Sequence, residues 1–310
     1  YRNTTLKTMR LKLFILSLFV CFLAKAQQTP VFAEYNYNPF LLNPGYAGLQ
    51  ASTEISITNS GFFNQFDGSP RTLTGTFNSP LQEGKMGVGG ALLYDEIGVT
   101  TTTQFYAAYS YKIELGFMDN HPFYANYQTP VLSFGISAGI LQYEDRFLEL
   151  GLEDDPRFAQ NVQSTIPMVG VGLLYNQERF YAGISTPNIL GDVLASDKSV
   201  SLSLPVYGIF GYRFYAGLFD QYIIKPNLML KYEPNTPFQV DANIAATIKQ
   251  KFELGAGYRS NSSVNLLAGA YLFENFRLMY FYNHSFGTNP FNSRHGVLLS
   301  VKLGDGYSTN

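Results

Sequence analysis

Between Phe238 and Lys249 the chain changes character at every residue. One parity holds Phe238, Val240, Ala242, Ile244, Ala246 and Ile248, and the other holds Gln239, Asp241, Asn243, Ala245, Thr247 and Lys249. Alternate side chains of a strand point to opposite faces, so this stretch predicts a strand with one apolar and one polar side. The pattern continues with Phe252, Leu254, Ala256 and Tyr258 set against Lys251, Glu253, Gly255, Gly257 and Arg259. It recurs more weakly over 99–113, where Phe105, Ala107, Tyr109, Tyr111 and Ile113 alternate with Gln104, Tyr106, Ala108, Ser110 and Lys112. Near the end, Val297, Leu299, Val301 and Leu303 alternate with Gly296, Leu298, Ser300 and Lys302.

Carried along the whole chain, this reading predicts about fourteen strands. They fall near 51–61, 70–79, 85–96, 99–113, 130–144, 165–177, 179–186, 200–215, 220–233, 236–249, 251–260, 263–273, 276–286 and 295–303. Some connections are tight turns, such as Asn176-Gln177-Glu178, Gln250 and Glu274-Asn275, while 114–129 and 145–164 are long. Short turns on one rim and long loops on the other describe a membrane barrel. Pro226 interrupts its strand's hydrogen bonding and marks either a bulge or a strand end.

A soluble β-sandwich or propeller would alternate in the same way, and composition separates the two. Only 14% of the residues are charged, against ~25% in ordinary soluble domains. Aromatic residues make up 16%, almost all Tyr and Phe, with no Trp, and the mean hydropathy is −0.03. Tyrosines recur at strand ends, at Tyr94, Tyr111, Tyr143, Tyr175, Tyr207, Tyr215, Tyr232, Tyr258 and Tyr282. Two membrane interfaces would place aromatic girdles there. The expected fold is therefore all-β, a transmembrane antiparallel barrel with an even number of strands, its apolar parity facing lipid. Asp241, Asn243, Lys249, Lys251, Glu253 and Arg259 are expected to face the lumen, where opposite charges on neighbouring strands can pair and fill the interior. The formal charge of −2 provides no electrostatic footprint for nucleic acid.

The start of the chain bears on location. Residues 9–26 read MRLKLFILSLFVCFLAKA, with Arg10 and Lys12 ahead of the apolar run Leu13–Ala24 and an Ala24-Lys25-Ala26 site. A charged region, a short apolar region and an A-x-A site describe a secretory signal, and the run falls below the ~20 residues of a spanning helix. Met9 is the expected start, with Tyr1–Thr8 upstream of it, and the mature chain is expected to begin at Gln27. Cys21, the single cysteine, would leave with the signal, so no disulfide or thiol chemistry is expected. A division into 1–26, an N-terminal segment 27–50, a barrel 51–304 and a short polar tail 305–310 follows.

Within that segment, Tyr35–Gly48 reads YNYNPFLLNPGYAG. Its two Asn-Pro pairs are turn signals, yet Phe40, Leu41, Leu42 and Tyr46 are too apolar for a solvated linker. Asn38, Pro39, Phe40, Leu41, Leu42, Asn43, Pro44, Gly45 and Tyr46 form a candidate plug or partner-docking segment. Two preset proline φ angles lower the entropy of ordering it, while the apolar side chains provide contact area. The alternative is a turn that only leads into the first strand.

YNYNPFLLNPGYAG closely resembles the start of the PorP/SprF family, outer-membrane proteins associated with type IX secretion and gliding motility. GVGGALLYDEIG (87–98), FYAGISTPNIL (180–190), LKYEPNTPFQVDANI (230–244) and LGAGYRS (254–260) are similar too, in the same order. The chain departs from barrel-assembly signals at its end, where VKLG is followed by Asp305–Asn310 without a terminal aromatic. The resemblance implies a barrel in the bacterial outer membrane that works with the type IX machinery to export or anchor a large surface adhesin. It implies no enzyme, cofactor or small-molecule substrate. The segment Asn38–Tyr46 would then pack against or inside the periplasmic mouth.

Catalytic and metal patterns are weak. His121, His284 and His295 lack HExxH spacing, and Gly183-Ile184-Ser185-Thr186 lacks the second glycine of a nucleophile elbow. His284 and Ser285 are adjacent in a strand and so point to opposite faces. Glu153-Asp154-Asp155, with Glu144, Asp145 or Glu149, has no EF-hand spacing and reads as a solvated loop. Two rivals to an adhesin-supporting barrel remain at this stage: a porin or hydrophobic-solute channel, and an outer-membrane hydrolase with its site at the rim.

Overall fold

The structure is a computed structural model that describes residues 33–61, 68–116, 129–151, 155, 158–191, 193–196, 200, 202, 204–217, 221–260, 263–286, 293–304 and 306–307. The expected signal at 9–26 and the start at Gln27 lie outside the described residues.

Antiparallel strands follow one another around a closed wall: β1 (Glu54–Ser60), β2 (Arg71–Leu81), β3 (Met86–Ile97), β4 (Thr100–Glu114), β5 (Val131–Asp145), β6 (Val162–Asn176) and β7 (Phe180–Thr186). Next come β8 (Val206–Tyr212), β9 (Phe214–Ala216), β10 (Tyr222–Tyr232) and β11 (Gln239–Ile248). The circuit is completed by β12 (Phe252–Arg259), β13 (Ser263–Leu272), β14 (Phe276–Ser285) and β15 (Ser293–Lys302), which pairs with β1 through Ile57↔Leu299. β8 and β9 both pair with β10 and form one stave, so the barrel has fourteen.

Pro226 explains the break between them. Asn227 faces Gly211 and Ile224 faces Phe214, so the register runs on without an added residue. Pro226 has no N–H to give across to β8, and the ladder opens there while the pairing with β11 at Ile244 persists. The proline thus marks neither a bulge nor a strand end.

Alternation sorts the faces as the period requires. Phe105, Ile244, Phe252, Leu254 and Tyr258 are exposed on the outside, and Tyr106, Ser110, Lys112, Asp241, Glu253 and Arg259 are buried inside. The large apolar side chains exposed along the outward strand faces make the surface that a lipid-facing barrel requires; no described helix is long and apolar enough to cross a membrane. Three of the tyrosines expected in the girdles point inward instead. Tyr207 is 5% exposed and packs among lumen residues, Tyr143 hydrogen-bonds Asp145 on its own inward parity, and Tyr215 reaches the carbonyl of Glu178.

β1 begins and β15 ends on the rim that carries the turns after β2, β6, β9, β11 and β13. That rim is the periplasmic one in barrels with short periplasmic turns. The strand ends that flank 115–130 are on the same rim, whereas those that flank 146–161 and 187–205 are on the opposite one, so the two expected long loops leave from different sides.

Candidate functional site

The lumen is occupied by the chain's own opening segment. Ala33–Asn36, Pro39–Leu41 and Pro44–Tyr46 form three short 3-10 turns, with Pro39 and Pro44 each opening a turn where no N–H donor is needed. The Asn43 side chain caps the third turn by accepting from the Gly45 N–H at 2.8 Å. This folding raises the apolar side chains on three sides. Phe40, Leu41, Tyr46 and Ala47 pack on Ala91, Leu93, Tyr106, Ala108 and Leu174. Tyr35 and Leu42 meet Tyr207, Ile209 and Met229, and Tyr37 meets Met279, Phe281 and Leu298. The segment thus takes part in three separate clusters of buried apolar side chains, while a fourth, around Leu141, Ile166 and Met168, forms without it.

Polar groups of the wall take up its backbone. Ser110 donates to the carbonyl of Ala47 at 2.6 Å, Ser133 to that of Gly45 at 2.6 Å, and Ser185 to that of Leu42 at 2.7 Å. Lys112 donates to the carbonyls of Gly48 and Gly84. In the other direction, Asn43 Nδ2 donates to the Leu173 carbonyl at 3.1 Å, and Asn38 Nδ2 to Thr76 Oγ1 at 2.6 Å. A buried segment must satisfy its peptide groups somewhere, and here the small hydroxyls of the wall do so.

Close approach is possible because the wall is stripped of side chains beneath the segment. A Cβ on Gly135 would overlap the backbone of Pro44 and Gly45, and one on Gly87 would overlap the carbonyl of Ala47. Glycines on the inward parity of β3, β5 and β6 therefore form the seat. Sequence reasoning missed it, although GVGG (87–90) and VGVG (169–172) carry glycine at a period of two.

The expected lumen residues divide. Asp241 and Arg259 are opposite each other in register and form a buried ion pair at 2.9 Å, with Gln239 donating to Asp241 at 2.8 Å. Asn243 donates to Tyr35 Oη at 2.6 Å, so it touches the segment directly. Glu253 is fully buried and accepts from Tyr37 at 2.8 Å, Tyr271 at 2.5 Å and Thr247 at 3.3 Å, besides its pairing with Lys225. Lys249 and Lys251 are not in the lumen. Both are exposed at the β11–β12 turn, where Lys249 and Gln250 take φ of 51° and 54°. The chain has already reversed there, so counting parity past Ile248 misplaces them.

Two further groups were not foreseen. Arg277 donates to the carbonyl of Tyr37 at 2.9 Å and to Glu54 at 2.6 Å. Tyr307 of the tail donates to the same Glu54 oxygen at 2.7 Å, and Arg277 lies over both the Tyr37 and Tyr307 rings. The tail expected to be merely polar thus brings an aromatic ring back under the barrel.

His284 sits opposite Ser293 and contacts it at 3.3 Å, with Ser285 on the other face of β14; His121, Glu153 and Asp154 lie outside the described residues. Among the described residues no group of three or more His, Cys, Asp and Glu is placed to hold a metal ion.

No curated protein matches the chain. Among solved structures, the outer membrane protein Omp33 of Acinetobacter baumannii aligns at 10% identity over 83% of this chain and 100% of its own, with a TM-score of 0.45. The toluene transporter TbuX of Ralstonia pickettii aligns at 9% identity over 85% and 92%, with a TM-score of 0.44. CdiB of A. baumannii aligns at 10% identity and a TM-score of 0.38; the chain covers 60% of its length. The profile of the type IX secretion system membrane protein PorP/SprF matches residues 24–300. With that match across a closed barrel whose outer face is apolar, the chain belongs to the PorP/SprF family and is an outer-membrane barrel of type IX secretion.

Proposed function

We propose that this protein is a plugged, non-enzymatic barrel that supports the export or surface anchoring of a large adhesin together with the type IX secretion machinery, in gliding or adhesion. The observation that carries this reading is the packing of Tyr35–Gly48 in the lumen. Fourteen staves would leave a conducting interior if empty. A segment that fills it disfavours a general diffusion pore and favours a role in holding or relaying a partner. Opposed charges along the wall, as at Asp241 and Arg259, fill still more of the interior.

The test replaces Phe40, Leu41 and Leu42 together by Ser, which removes apolar contact but keeps both proline turns. The variant is expected to insert in the outer membrane, to conduct more than the wild type in planar bilayers, and to lose adhesin display. Wild-type conductance together with undiminished display would refute both the plug and the adhesin role.

A further inference from the structure

Between the opening segment and the periplasmic rim, the lumen keeps a cavity of about 220 Å³. Its barrel lining includes Tyr181, Arg213, Lys225, Glu253, Tyr271 and Arg277 toward that rim, with Ile209, Asn227 and Ala245 deeper in the lumen. Two of the three cations are neutralised, Lys225 by Glu253 and Arg277 by Glu54. Arg213 is not. Its Nη1 donates to the carbonyls of Gln177 at 3.2 Å and Glu178 at 2.9 Å, and its guanidinium lies 5.0 Å from the centre of the Tyr181 ring. Among the described residues no carboxylate pairs with it, and its remaining donors are uncommitted. Tyr46 and Tyr181 also line the cavity, and neither hydroxyl bonds a described protein group.

We propose that this vestibule binds a single carboxylate, the C-terminal carboxylate of a polypeptide presented from the periplasmic side, on Arg213 with Tyr46 and Tyr181 as neighbouring donors. Charge selects the ligand. One positive charge with no carboxylate partner among the described residues matches a monoanion, whereas a phosphate dianion would leave negative charge unbalanced in a partly desolvated site. A guanidinium fork suits the two carboxylate oxygens. Size selects the presentation. Pockets that enclose whole small molecules run to ~300–1,000 Å³, so this one admits an end group and leaves the rest of the ligand outside. The inference is independent of which adhesin, if any, the barrel supports.

The full chain in detergent, which lacks tryptophan, allows binding to be followed by tyrosine fluorescence or calorimetry. N-acetylphenylalanine is expected to bind saturably, and N-acetylphenylalaninamide roughly tenfold more weakly or worse. Inorganic phosphate at neutral pH is expected to bind no more tightly than the acid. Arg213→Gln can still donate to the turn carbonyls but carries no charge, and it should lower affinity for the acid roughly tenfold. Lys251→Ala, at an exposed turn, should leave affinity unchanged. A short peptide with a free terminus should bind, while its amidated form with an internal Asp should not. Equal binding of acid and amide, wild-type affinity in Arg213→Gln, or tighter binding of phosphate would overturn the site. Equal binding of the amidated Asp peptide would overturn the assignment to a chain terminus. Should Arg213→Gln fail to assemble, the acid–amide comparison on the wild type decides alone.

Discussion

The seat of the opening segment depends on atoms that particular residues lack. Gly135 lets the backbone of Pro44 and Gly45 lie against β5, and any β-carbon there overlaps it. Gly135→Val is therefore expected to unseat the segment while the outer wall, which this position does not face, still closes. The measurement is protease cleavage within 33–50 of the membrane-inserted protein, rising in the variant and absent in the wild type. Asn43→Ala removes the cap on Gly45 and the bond to Leu173, and should cost about 1–2 kcal/mol in unfolding measurements. Sequence reasoning at this scale reached side chains with obvious chemistry and missed the empty places. Asp241, Glu253 and Arg259 stand out by charge, whereas Gly87 and Gly135 matter only through what approaches them. Tyr307 escaped for a related reason: its role depends on Arg277 and Glu54, distant in the chain, and no local pattern links the three.

Strands were the most legible elements, because a period of two is imposed by the contrast between lipid outside and a polar lumen inside. Ile244→Lys puts a charge on the lipid face and is expected to cost ~2–4 kcal/mol if it lies near the midplane. Asn243→Lys, one residue earlier and turned inward, should assemble far better while loosening Tyr35. Heat-modifiable electrophoretic mobility measures both, and equal folded fractions would contradict the assignment of faces. The same periodicity was blind to turns and to sides of the membrane. It ran through Ile248 into Lys249, where two positive φ angles reverse the chain, and it could not say that 115–130 and 146–161 leave from opposite rims. The sequence also joined 200–215 in one strand, because a missing donor at Pro226 acts on the neighbouring stave and leaves its own intact.

Across the whole molecule, the start of β1 and the tail that follows β15 meet at one rim of the barrel. Glu54 at the start of β1 takes hydrogen bonds from Arg277 and from Tyr307 in the tail. Truncation after Gly304 should expose Arg277 to the periplasmic side and cost about 1–2 kcal/mol through the lost Tyr307–Glu54 hydrogen bond and the two cation–π contacts of Arg277 and Lys302 with the Tyr307 ring. A lower midpoint in urea unfolding checks this. The long reach of these contacts also sets an order of events. Tyr37 binds Glu253 across 216 positions of sequence, and Arg277 binds Tyr37 across 240. The segment precedes the whole wall in the chain, yet its partners exist only once β2 through β8, β10 through β12, β14 and β15 stand together. Contacts of such separation carry a large loop-closure cost and form late. In refolding into detergent, strand formation seen by circular dichroism should thus be complete before protease protection of 33–50 appears. The opening residues become a proofreader of their own barrel: a wall with a missing or slipped stave has no seat to offer, and leaves the head of the chain within reach of a periplasmic protease.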